Sequence, residues 1–481
     1  MSIAAAYDAH DAVGLAGLVV SGQVTPDELL TEALRRADAL NPKLNALTLL
    51  RPEAARARIA EGLAPGPLRG VPFLLKDLGA EATDLPCNSG SRLAAETHAA
   101  TDSHFVERLR AAGLVMFGRT ASPEFGVGPA TEAAVYGGPT RNPWNLDHTP
   151  GGSSGGAGAA VAAGIVPAAH ASDGAGSIRI PAASSGLYGL KPSRGLLPNG
   201  PSAGEGWAGL SSSGFVTRTV RDTAVLLEAV AGSDLGAPYA APGVGSFPSA
   251  LHRTPGPLRI GILTTDLSGN PIHDDCAAAV ADAGRLLESL GHHVEPAPLP
   301  ETDIPALMRS LMRIIACGSA LTIGRICAAK GIALADAPVE PIARGALTLA
   351  QTVSGADYLA DVNALHACGR DFARWMSGWD VMLTATLAEP PAKIGRFAHK
   401  TEDFMHYRLG PGGVFEYSPF TAAFNASGQP AASLPLSFNA AGLPIGVHLA
   451  MPFGRDADLL ALSAQIEAAR PFFPNRPPLT A

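Results

Sequence analysis

The chain has 481 residues, of which 47% are hydrophobic and 16% are charged, a balance typical of a folded protein with a large core and not of a disordered chain. Its formal net charge of −8 disfavours nucleic acid or an anionic membrane surface as the main partner. The start MSIAAAYDAHD lacks the basic and apolar regions of a secretory signal, and no apolar run approaches the ~18 residues of a membrane span, so we expect a cytoplasmic protein.

Helical and strand patterns alternate along the first half of the chain. Residues 26–40 predict an amphipathic helix and residues 44–50 the first strand. Residues 107–120, ERLRAAGLVMFGRT, predict a helix, a turn and a strand. The Ala- and Gly-rich run at residues 157–171 predicts a close-packed buried helix.

The second half begins with a Pro- and Gly-rich stretch, residues 235–257, that predicts a surface excursion. Residues 302–415 predict a mainly helical region that faces the substrate. The remaining predicted elements are strands at 258–263 and 381–386 and helices at 276–290 and 457–469.

Five cysteines are spread widely through the chain. They are Cys87, Cys276, Cys317, Cys327 and Cys368. Their odd number and the absence of C-x-x-C or another metal-ligand spacing predict neither a disulfide framework nor a metal site. This pattern is typical of a reducing compartment.

Two glycine- and serine-rich patches carry the clearest chemical signal. They are GGSSGGAG at residues 151–158, with Ser153, and SDGAGSIRIPA at residues 172–182, with Ser177. Upstream, Lys76 stands within the apolar run VPFLLKDL. A serine hydroxyl is a poor nucleophile until a base removes its proton, and none of the 13 histidines stands in a recognisable arrangement around either patch. The pattern therefore indicates a hydrolase with a serine nucleophile and no histidine base.

A lysine can act as this base if its pKa falls from about 10.4 towards neutrality, and burial among apolar groups lowers it by disfavouring the ammonium form. The apolar residues 71–75 provide such surroundings for Lys76. Alternatively, Lys76 ends a strand and its ammonium reaches water or Asp77, which is the commoner role of a single lysine. A Gly- and Ser-rich cluster alone is usually a flexible loop. The co-occurrence of the three segments favours catalysis.

Residues 151–155 also satisfy G-x-S-x-G, the nucleophile elbow of another hydrolase class, which would make Ser153 the nucleophile. That motif must follow a strand directly, whereas the preceding RNPWNLDHTP contains two prolines and predicts a loop. The sequence contains neither S-x-x-K nor G-K-[ST], so it supports neither a β-lactamase-type serine nor a phosphate-binding loop.

Several segments together resemble the amidase signature family. In chain order they are GQVTPDELL, VPFLLKD, TRNPWNL, GGSSGG, GSIRIPA, GLYGLKPSRG, NASGQPAASLP and GLPIGVHL. The resemblance spans nearly the whole chain and implies an α/β fold, a single large domain over residues 1–481 whose central mixed β-sheet is covered by helices on both sides. Within it, residues of about 60–235 and 375–470 would form the catalytic core. Residues of about 300–415 would form a variable, mainly helical region.

The resemblance also implies a Ser, cis-Ser and Lys triad. Ser177 would be the nucleophile that forms the acyl-enzyme, Ser153, preceded by a cis peptide bond, the bridging residue, and Lys76 the base. A hydroxyl donates one hydrogen bond while accepting another, which suits Ser153 to relaying a proton. Structural support is expected from three further side chains, Ser154, Asp173 and Arg179, the last two as a buried pair.

The turn before the nucleophile is expected to stabilise the oxyanion. We assign this role to the backbone N–H groups of Gly174, Ala175 and Gly176, together with that of Ser177, because a glycine-rich turn can direct several amides at one point. The family usually has glycine where this chain has Ala175. Alanine resists positive φ, so this departure is expected to restrict the geometry of the turn.

The resemblance implies a hydrolase of carboxylic amide C–N bonds that requires no cofactor and no metal. The branch that these segments most resemble opens nylon-oligomer lactams and related linear amides, and aryl amides are a further candidate class. By the same resemblance Gly126 and Val127 line the substrate pocket and Cys317 lies near the substrate, although Cys317 could equally be a small buried hydrophobe. From the sequence alone, no arginine or acid is identifiable as binding a carboxylate or an amine.

Two other functions stay open. The chain could be the glutaminase-type subunit of an aminoacyl-tRNA amidotransferase, which needs a partner subunit, or a member of the family that cleaves esters or carbamates. A catalytically inactive relative is disfavoured because Lys76, Ser153 and Ser177 are all present. The expected partner is a small-molecule amide, with neither nucleic acid nor membrane, and a homodimer is left open.

Overall fold

A computed structural model describes residues 2–95, 97–243 and 245–480. These residues form eleven strands, which are β1 Leu47–Leu50, β2 Pro72–Lys76, β3 Val115–Thr120, β4 Ala168–Asp173, β5 Tyr188–Lys191, β6 Ser212–Thr217, β7 Arg259–Ile262, β8 His293–Pro296, β9 Val381–Ala385, β10 Ala431–Phe438 and β11 Pro444–Ala450. The strands join in one mixed sheet, in the order β1-β3-β2-β4-β6-β5-β10-β11-β9-β7-β8.

Helices flank this sheet. They are α1 Ile3–Ala9, α2 Ala12–Val20, α3 Pro26–Leu44, α4 Pro52–Glu61, α5 His104–Ala111, α6 Gly155–Ala162, α7 Arg179–Ser185, α8 Val220–Val230, α9 Phe247–Ala250, α10 Asp274–Ser289, α11 Ile304–Lys330, α12 Pro341–Ala350, α13 Gly355–Trp375, α14 Phe404–Leu409, α15 Val414–Tyr417, α16 Thr421–Ser427 and α17 Asp456–Ala469. Short 3₁₀ turns occur at Glu124–Gly126, Ala134–Tyr136, Leu334–Asp336 and Met376–Gly378. A single α/β domain with a mixed central sheet confirms the predicted fold class.

Local sequence accounts for the bounds of helix α3. Thr25 and Glu28 form a reciprocal capping box at its start, where Pro26 occupies a position that needs no backbone donor. Its last residue, Leu44, is followed by Asn45 in the left-handed conformation. The predicted helix over residues 26–40 is therefore confirmed and extends one turn further.

The other predicted elements agree with the structure to within a few residues at each end, except in one segment. Residues 157–171, predicted as one buried helix, are divided between α6 and β4. The helix stops before Gly164, whose φ is +79°, and β4 begins directly after Pro167. Small side chains such as alanine pack equally well in a buried helix or a central strand, so their pattern did not separate the two.

Residues 235–257 form the predicted irregular excursion, apart from Val244, which lies outside the described residues. Within it the short helix α9 turns Phe247 into the core. Residues 302–415 are mainly helical but also contain the central strand β9.

In the described residues, α11 is long and apolar enough to cross a membrane by length and composition. Here it packs against α12, α13 and α16, and its apolar side chains Leu307, Leu311 and Ile314 are buried. One face of this helix thus belongs to the core, while Leu321 elsewhere on it is exposed.

The sheet brings distant parts of the chain to one edge. Strand β2 lies between β3 and β4 and is parallel to both. Because parallel strands end at the same edge of a sheet, Lys76 at the end of β2 lies beside Ser172 and Asp173 at the end of β4.

Candidate active site

Lys76 and Ser153 are in direct contact. The Lys76 Nζ atom lies 2.6 Å from Ser153 Oγ and 3.0 Å from Ser172 Oγ. The peptide bond between Gly152 and Ser153 is cis. Ser153 and Ser177 line the same cavity. The structure thus assembles, from three separate segments, the three side chains predicted from the sequence.

The Lys76 side chain is fully buried. Burial lowers its pKa to about 7, and the negative charge of Asp173 limits the fall. Much of the lysine is therefore neutral near pH 7, and a neutral amine can accept a proton from Ser153. Asp77 does not pair with this amine, because its carboxylate accepts hydrogen bonds from the Asn88 amide at 2.7 Å and the Tyr136 hydroxyl at 2.5 Å.

His170 contacts the backbone of Lys76 and does not line the cavity that the two serines share. Its Nδ1 accepts a hydrogen bond from the Lys76 backbone N–H at 3.2 Å, and its ring packs against Phe105 at 5.1 Å between centroids. Burial lowers its pKa well below the ordinary value, with a further contribution from the Lys76 charge. His170 is therefore neutral, and its Nε2 has no hydrogen-bond partner within the described residues.

Ser154 and Ser172 tie the two glycine-rich patches together. Ser154 Oγ lies 3.3 Å from both the backbone O and the backbone N of Ser172. The predicted local role of Ser154 therefore takes the form of a link to the end of strand β4. Ser172, which the sequence did not single out, anchors Ser154 through its backbone and contacts Lys76 through its side chain.

Asp173 organises the turn that precedes Ser177. Its carboxylate accepts hydrogen bonds from the amides of Gly176 at 2.6 Å and Ile178 at 3.2 Å. The assignment of the Gly176 amide to the oxyanion hole is therefore corrected, since this donor is already used. The amides of Gly174, Ala175 and Ser177 have no hydrogen-bond acceptor within the part of the chain that the structure describes.

Backbone conformation explains the composition of this turn. Gly176 has φ of +132°, a region that favours glycine, and a Cβ there would overlap the Thr421 side chain. Ala175 does not have positive φ. The expected restriction by Ala175 therefore does not arise, because the conformation at this position suits an alanine.

Arg179 neutralises Asp173 in a fully buried ion pair. Its guanidinium donates to both carboxylate oxygens, at 2.9 and 3.1 Å, and to Asn425 Oδ1 at 2.6 Å. Asn425 in turn donates to the Asp173 carboxylate at 2.9 Å. Burial alone would raise the pKa of Asp173, but Arg179 and these hydrogen bonds hold it well below the ordinary value. The network fixes the turn that carries Ser177.

A wide cavity of about 240 Å³ opens onto the two serines. Its apolar wall comes from Leu78, Phe105, Phe125 and Trp207, and Glu81 and Glu205 also line it. Gly126 lines it as predicted. This space can accept a small, largely apolar substrate.

A narrow cavity of about 20 Å³ adjoins the wide one and shares Gly126, Ser177 and Trp207 with it. The Trp207 ring packs closely against both Gly174 and Gly318. A Cβ atom at Gly174 would lie 2.7 Å from the ring and one at Gly318 only 2.3 Å from it, so both positions need glycine. Ser177 thus stands where two chambers meet. No sequence pattern indicated this arrangement, because Trp207 lies in an irregular loop without a motif.

Two predicted pocket residues are placed elsewhere. The Val127 side chain is fully buried in the hydrophobic core and lines neither cavity. Cys317 is half-buried and also lines neither, although Ile315 and Ser319 on the same helix do. Cys317 is two positions from each of them, and two residues turn a helix by about 200°, so its side chain lies on nearly the opposite face of α11. In the described residues, no group of three or more His, Cys, Asp or Glu side chains is placed to hold a metal ion.

The family model described as Amidase matches residues 28–460. The chain belongs to this family. This amidase is 37% identical to the 6-aminohexanoate-cyclic-dimer hydrolase of Pseudomonas sp. (strain NK87) over 98% of the chain and 97% of the relative. The solved structure of a 6-aminohexanoate cyclic dimer hydrolase matches with a TM-score of 0.91 and 36% identity, covering 98% of this chain and 99% of that one. A bacterial aryl acylamidase structure matches with a TM-score of 0.86 and 29% identity over 96% and 97% of the two chains.

Membership over nearly the full length confirms the sequence-based family assignment. The protein is an amide hydrolase that acts on carbon–nitrogen bonds.

Proposed function

We propose that Ser177 attacks the amide carbonyl, that Ser153 relays the proton and that Lys76 is the general base. The contact of 2.6 Å between Lys76 Nζ and Ser153 Oγ, in a cavity that Ser177 also lines, carries this proposal. A lysine pKa of about 7 makes the neutral amine available near neutral pH.

The chemistry begins with a double proton transfer. Ser177 Oγ bonds to the carbonyl carbon as its proton passes to Ser153 Oγ and the Ser153 proton passes to Lys76 Nζ. The tetrahedral intermediate then collapses, and the proton returns from Lys76 through Ser153 to the departing nitrogen. The amine leaves, and the acyl group stays on Ser177. A water molecule then attacks this ester as its proton passes through Ser153 to Lys76. The second tetrahedral intermediate collapses, the carboxylic acid is released, and the proton returns through Ser153 to Ser177 Oγ.

The oxyanion that forms in both steps is assigned to the amides of Gly174, Ala175 and Ser177. These donors have no acceptor within the described residues, whereas the Gly176 amide is bound by Asp173. Loss of one such donor typically costs a serine hydrolase about 3 to 4 kcal/mol of transition-state stabilisation.

The substrate class is proposed to be cyclic or linear aliphatic amides of the lactam or nylon-oligomer type, or aryl amides. The apolar side chains of Leu78, Phe105, Phe125 and Trp207 suit an alkyl chain or an aromatic ring. Relatives named as a hydrolase of the 6-aminohexanoate cyclic dimer and as an aryl acylamidase support these two kinds of compound.

We further propose that the enzyme works in the cytoplasm without a partner protein.

Ser177→Ala tests the nucleophile. Mass spectrometry of the purified chain incubated with an activated ester should show a covalent acyl adduct in the parent and none in Ser177→Ala. Ser154→Ala is the matched control and should still acylate, because Ser154 contacts strand β4 and not the base. An adduct of unchanged yield in Ser177→Ala would show that the nucleophile is another residue.

A panel of lactams, linear aliphatic amides, anilides, esters and carbamates, given to the chain purified alone, tests the substrate class. Hydrolysis of the first three groups supports the proposal. Activity that requires a second subunit would favour the amidotransferase alternative. A preference for esters or carbamates would show that the enzyme is an ester- or carbamate-cleaving member of the family. Light scattering on the same sample decides between monomer and homodimer.

A further inference from the structure

Arg408 is a buried arginine that lines the narrow cavity beside Ser177. Its side chain is 5% exposed, and its Nε has no hydrogen-bond partner. In the described residues its guanidinium forms no salt bridge and donates no hydrogen bond to a protein group. Burial lowers its pKa, and the nearby group that opposes this fall is the Tyr407 hydroxyl.

This isolation is unusual within the molecule. Four other arginines are comparably buried in the described residues, and each donates at least one hydrogen bond to a carboxylate or a backbone carbonyl: Arg36, Arg119, Arg179 and Arg218. A buried charge without a partner is strongly disfavoured, because it loses its hydration and gains nothing in return. The described part of the protein provides no partner for Arg408, so a bound molecule has to supply it.

The immediate surroundings of Arg408 leave its donors free. The guanidinium lies 5.4 Å from the Phe404 ring centre and 5.6 Å from that of Tyr407. Such contacts stabilise a cation without using its N–H groups. The rest of the cavity wall is mainly apolar and includes Ile180, Ile315 and Phe415.

We propose that the narrow cavity binds a carboxylate carried by the substrate, with Arg408 as the residue that recognises it. A planar guanidinium presents paired donors that match the two oxygens of a carboxylate. The apolar walls exclude water and strengthen this pairing. The substrate is then an amide with a carboxylate at one end, which lies in the narrow cavity while the remainder lies in the wide one. This inference rests on the proposed function, because it assumes that the scissile amide lies at Ser177.

The narrow cavity must enlarge to hold a carboxylate. At about 20 Å³ it has room for roughly one water molecule, so a carboxylate needs the half-buried Phe415 side chain to move outwards. The space suits a single polar group at the end of a chain and not a second ring. It therefore distinguishes an open-chain, acid-terminated amide from a bulky neutral one.

Binding to Ser177→Ala tests the inference without turnover. Isothermal titration would compare 6-acetamidohexanoate with its neutral counterpart N-hexylacetamide. We expect the carboxylate to bind at least tenfold more tightly, and this preference to disappear in Ser177→Ala/Arg408→Met and to survive in part in Ser177→Ala/Arg408→Lys. Equal affinities for the two compounds in Ser177→Ala, or a preference that persists in the Arg408→Met double variant, would overturn the inference.

Two controls separate folding and catalysis from recognition. Arg408→Met removes an unpaired charge, so its melting temperature should equal or exceed that of the parent. Arg218→Met removes an equally buried arginine away from both cavities and should leave the carboxylate preference unchanged. If the parent hydrolyses neutral amides but shows no carboxylate preference, the amidase mechanism stands and the inference fails. If the carboxylate binds through Arg408 but no amide is hydrolysed, the mechanism fails and the anion site stands.

Discussion

Two buried lysines show that burial alone does not make a catalytic base. Lys76 and Lys191 are both enclosed, and burial lowers the pKa of each to about 7. The Lys191 ammonium donates to the Pro192 carbonyl at 2.7 Å, whereas the Lys76 amine contacts the hydroxyls of Ser153 and Ser172. What distinguishes the proposed base is the group its nitrogen touches.

The pH dependence of kcat/KM should report Lys76. Protonated Lys76 cannot accept a proton, so we expect kcat/KM to fall about tenfold per pH unit below an apparent pKa of about 7 and to level off above it. The measurement is a rate profile from pH 5 to 9 on a neutral amide. Lys76→Met should lose at least 10³-fold in kcat, comparable to the loss of a triad member in other serine hydrolases.

Lys191→Met is the matched control for this profile. It removes the other buried lysine of similar pKa and should retain the acidic limb. If the limb disappears in Lys191→Met, or persists at normal rates in Lys76→Met, then Lys76 is not the base.

At the scale of elements, the turn between β4 and α7 depends on one buried network. Asp173 ends the strand, Arg179 begins the helix, and Asn425 from α16 joins them. The carboxylate also binds two amides of the turn itself. Ser177 is therefore held by contacts from three elements as well as by its own loop sequence.

Asp173→Asn should destabilise the fold and the site together. It leaves the Arg179 charge buried without its partner, which costs about 3 to 5 kcal/mol in comparable cases. Urea denaturation measures this loss, and kcat should fall as the turn loosens. Glu295→Gln is the control, because its pair with Arg259 is about half-exposed and should change stability by at most ~1 kcal/mol. Equal effects of the two substitutions would contradict a structural role for the buried network.

At the scale of the whole molecule, the two chambers are built from segments far apart in the chain. The helical region contributes Ile315 and Arg408, the sheet edge contributes Ser177, and Trp207 comes from a loop. Glu124, next to the cavity-lining Phe125, links two further segments, since it accepts hydrogen bonds from Ser91 Oγ and from the Glu340 amide in the helical region, both at 2.6 Å. The division into a catalytic core and a variable helical region stays a prediction.

Glu124 should make stability depend on pH. Burial raises its pKa to about 7, so the folded state holds a proton that the unfolded state releases, and its contribution to stability falls as pH rises from about 4.5 to 7. Glu124→Gln removes this penalty. We expect the variant to gain about 2 kcal/mol relative to the parent between pH 5 and 8, measured as the free energy of unfolding.

Glu467→Gln is the control that separates the stability change caused by a buried carboxyl group from any change in substrate binding. Burial raises the pKa of Glu467 to about 7 as well, but this residue lies on α17 and lines neither chamber. Both variants should show the same sign of stability change, while only Glu124→Gln should alter KM, through the wall at Phe125. A stability difference that does not vary with pH would contradict the buried-carboxylate explanation.

The sequence by itself determined the family, the fold class and the three proposed catalytic side chains. Ser153 and Ser177 lie in contiguous motifs, and Lys76 in an apolar strand, because a tight glycine-rich loop, a glycine-rich turn and a buried amine each need particular residues close together in the chain. The same local logic predicted helix α3 and strand β3. It failed at residues 157–171, where alanine and glycine fit either a buried helix or a strand.

Only the tertiary structure decided which amides of the turn are free within the described residues, that Trp207 lines both cavities beside Ser177, and that the buried Arg408 has no hydrogen-bond or salt-bridge partner among those residues. It also placed Val127 in the core and turned Cys317 away from both cavities. These properties depend on contacts between residues tens to hundreds of positions apart. No local pattern encodes them, because a pocket wall requires only that side chains of suitable shape and charge meet in space.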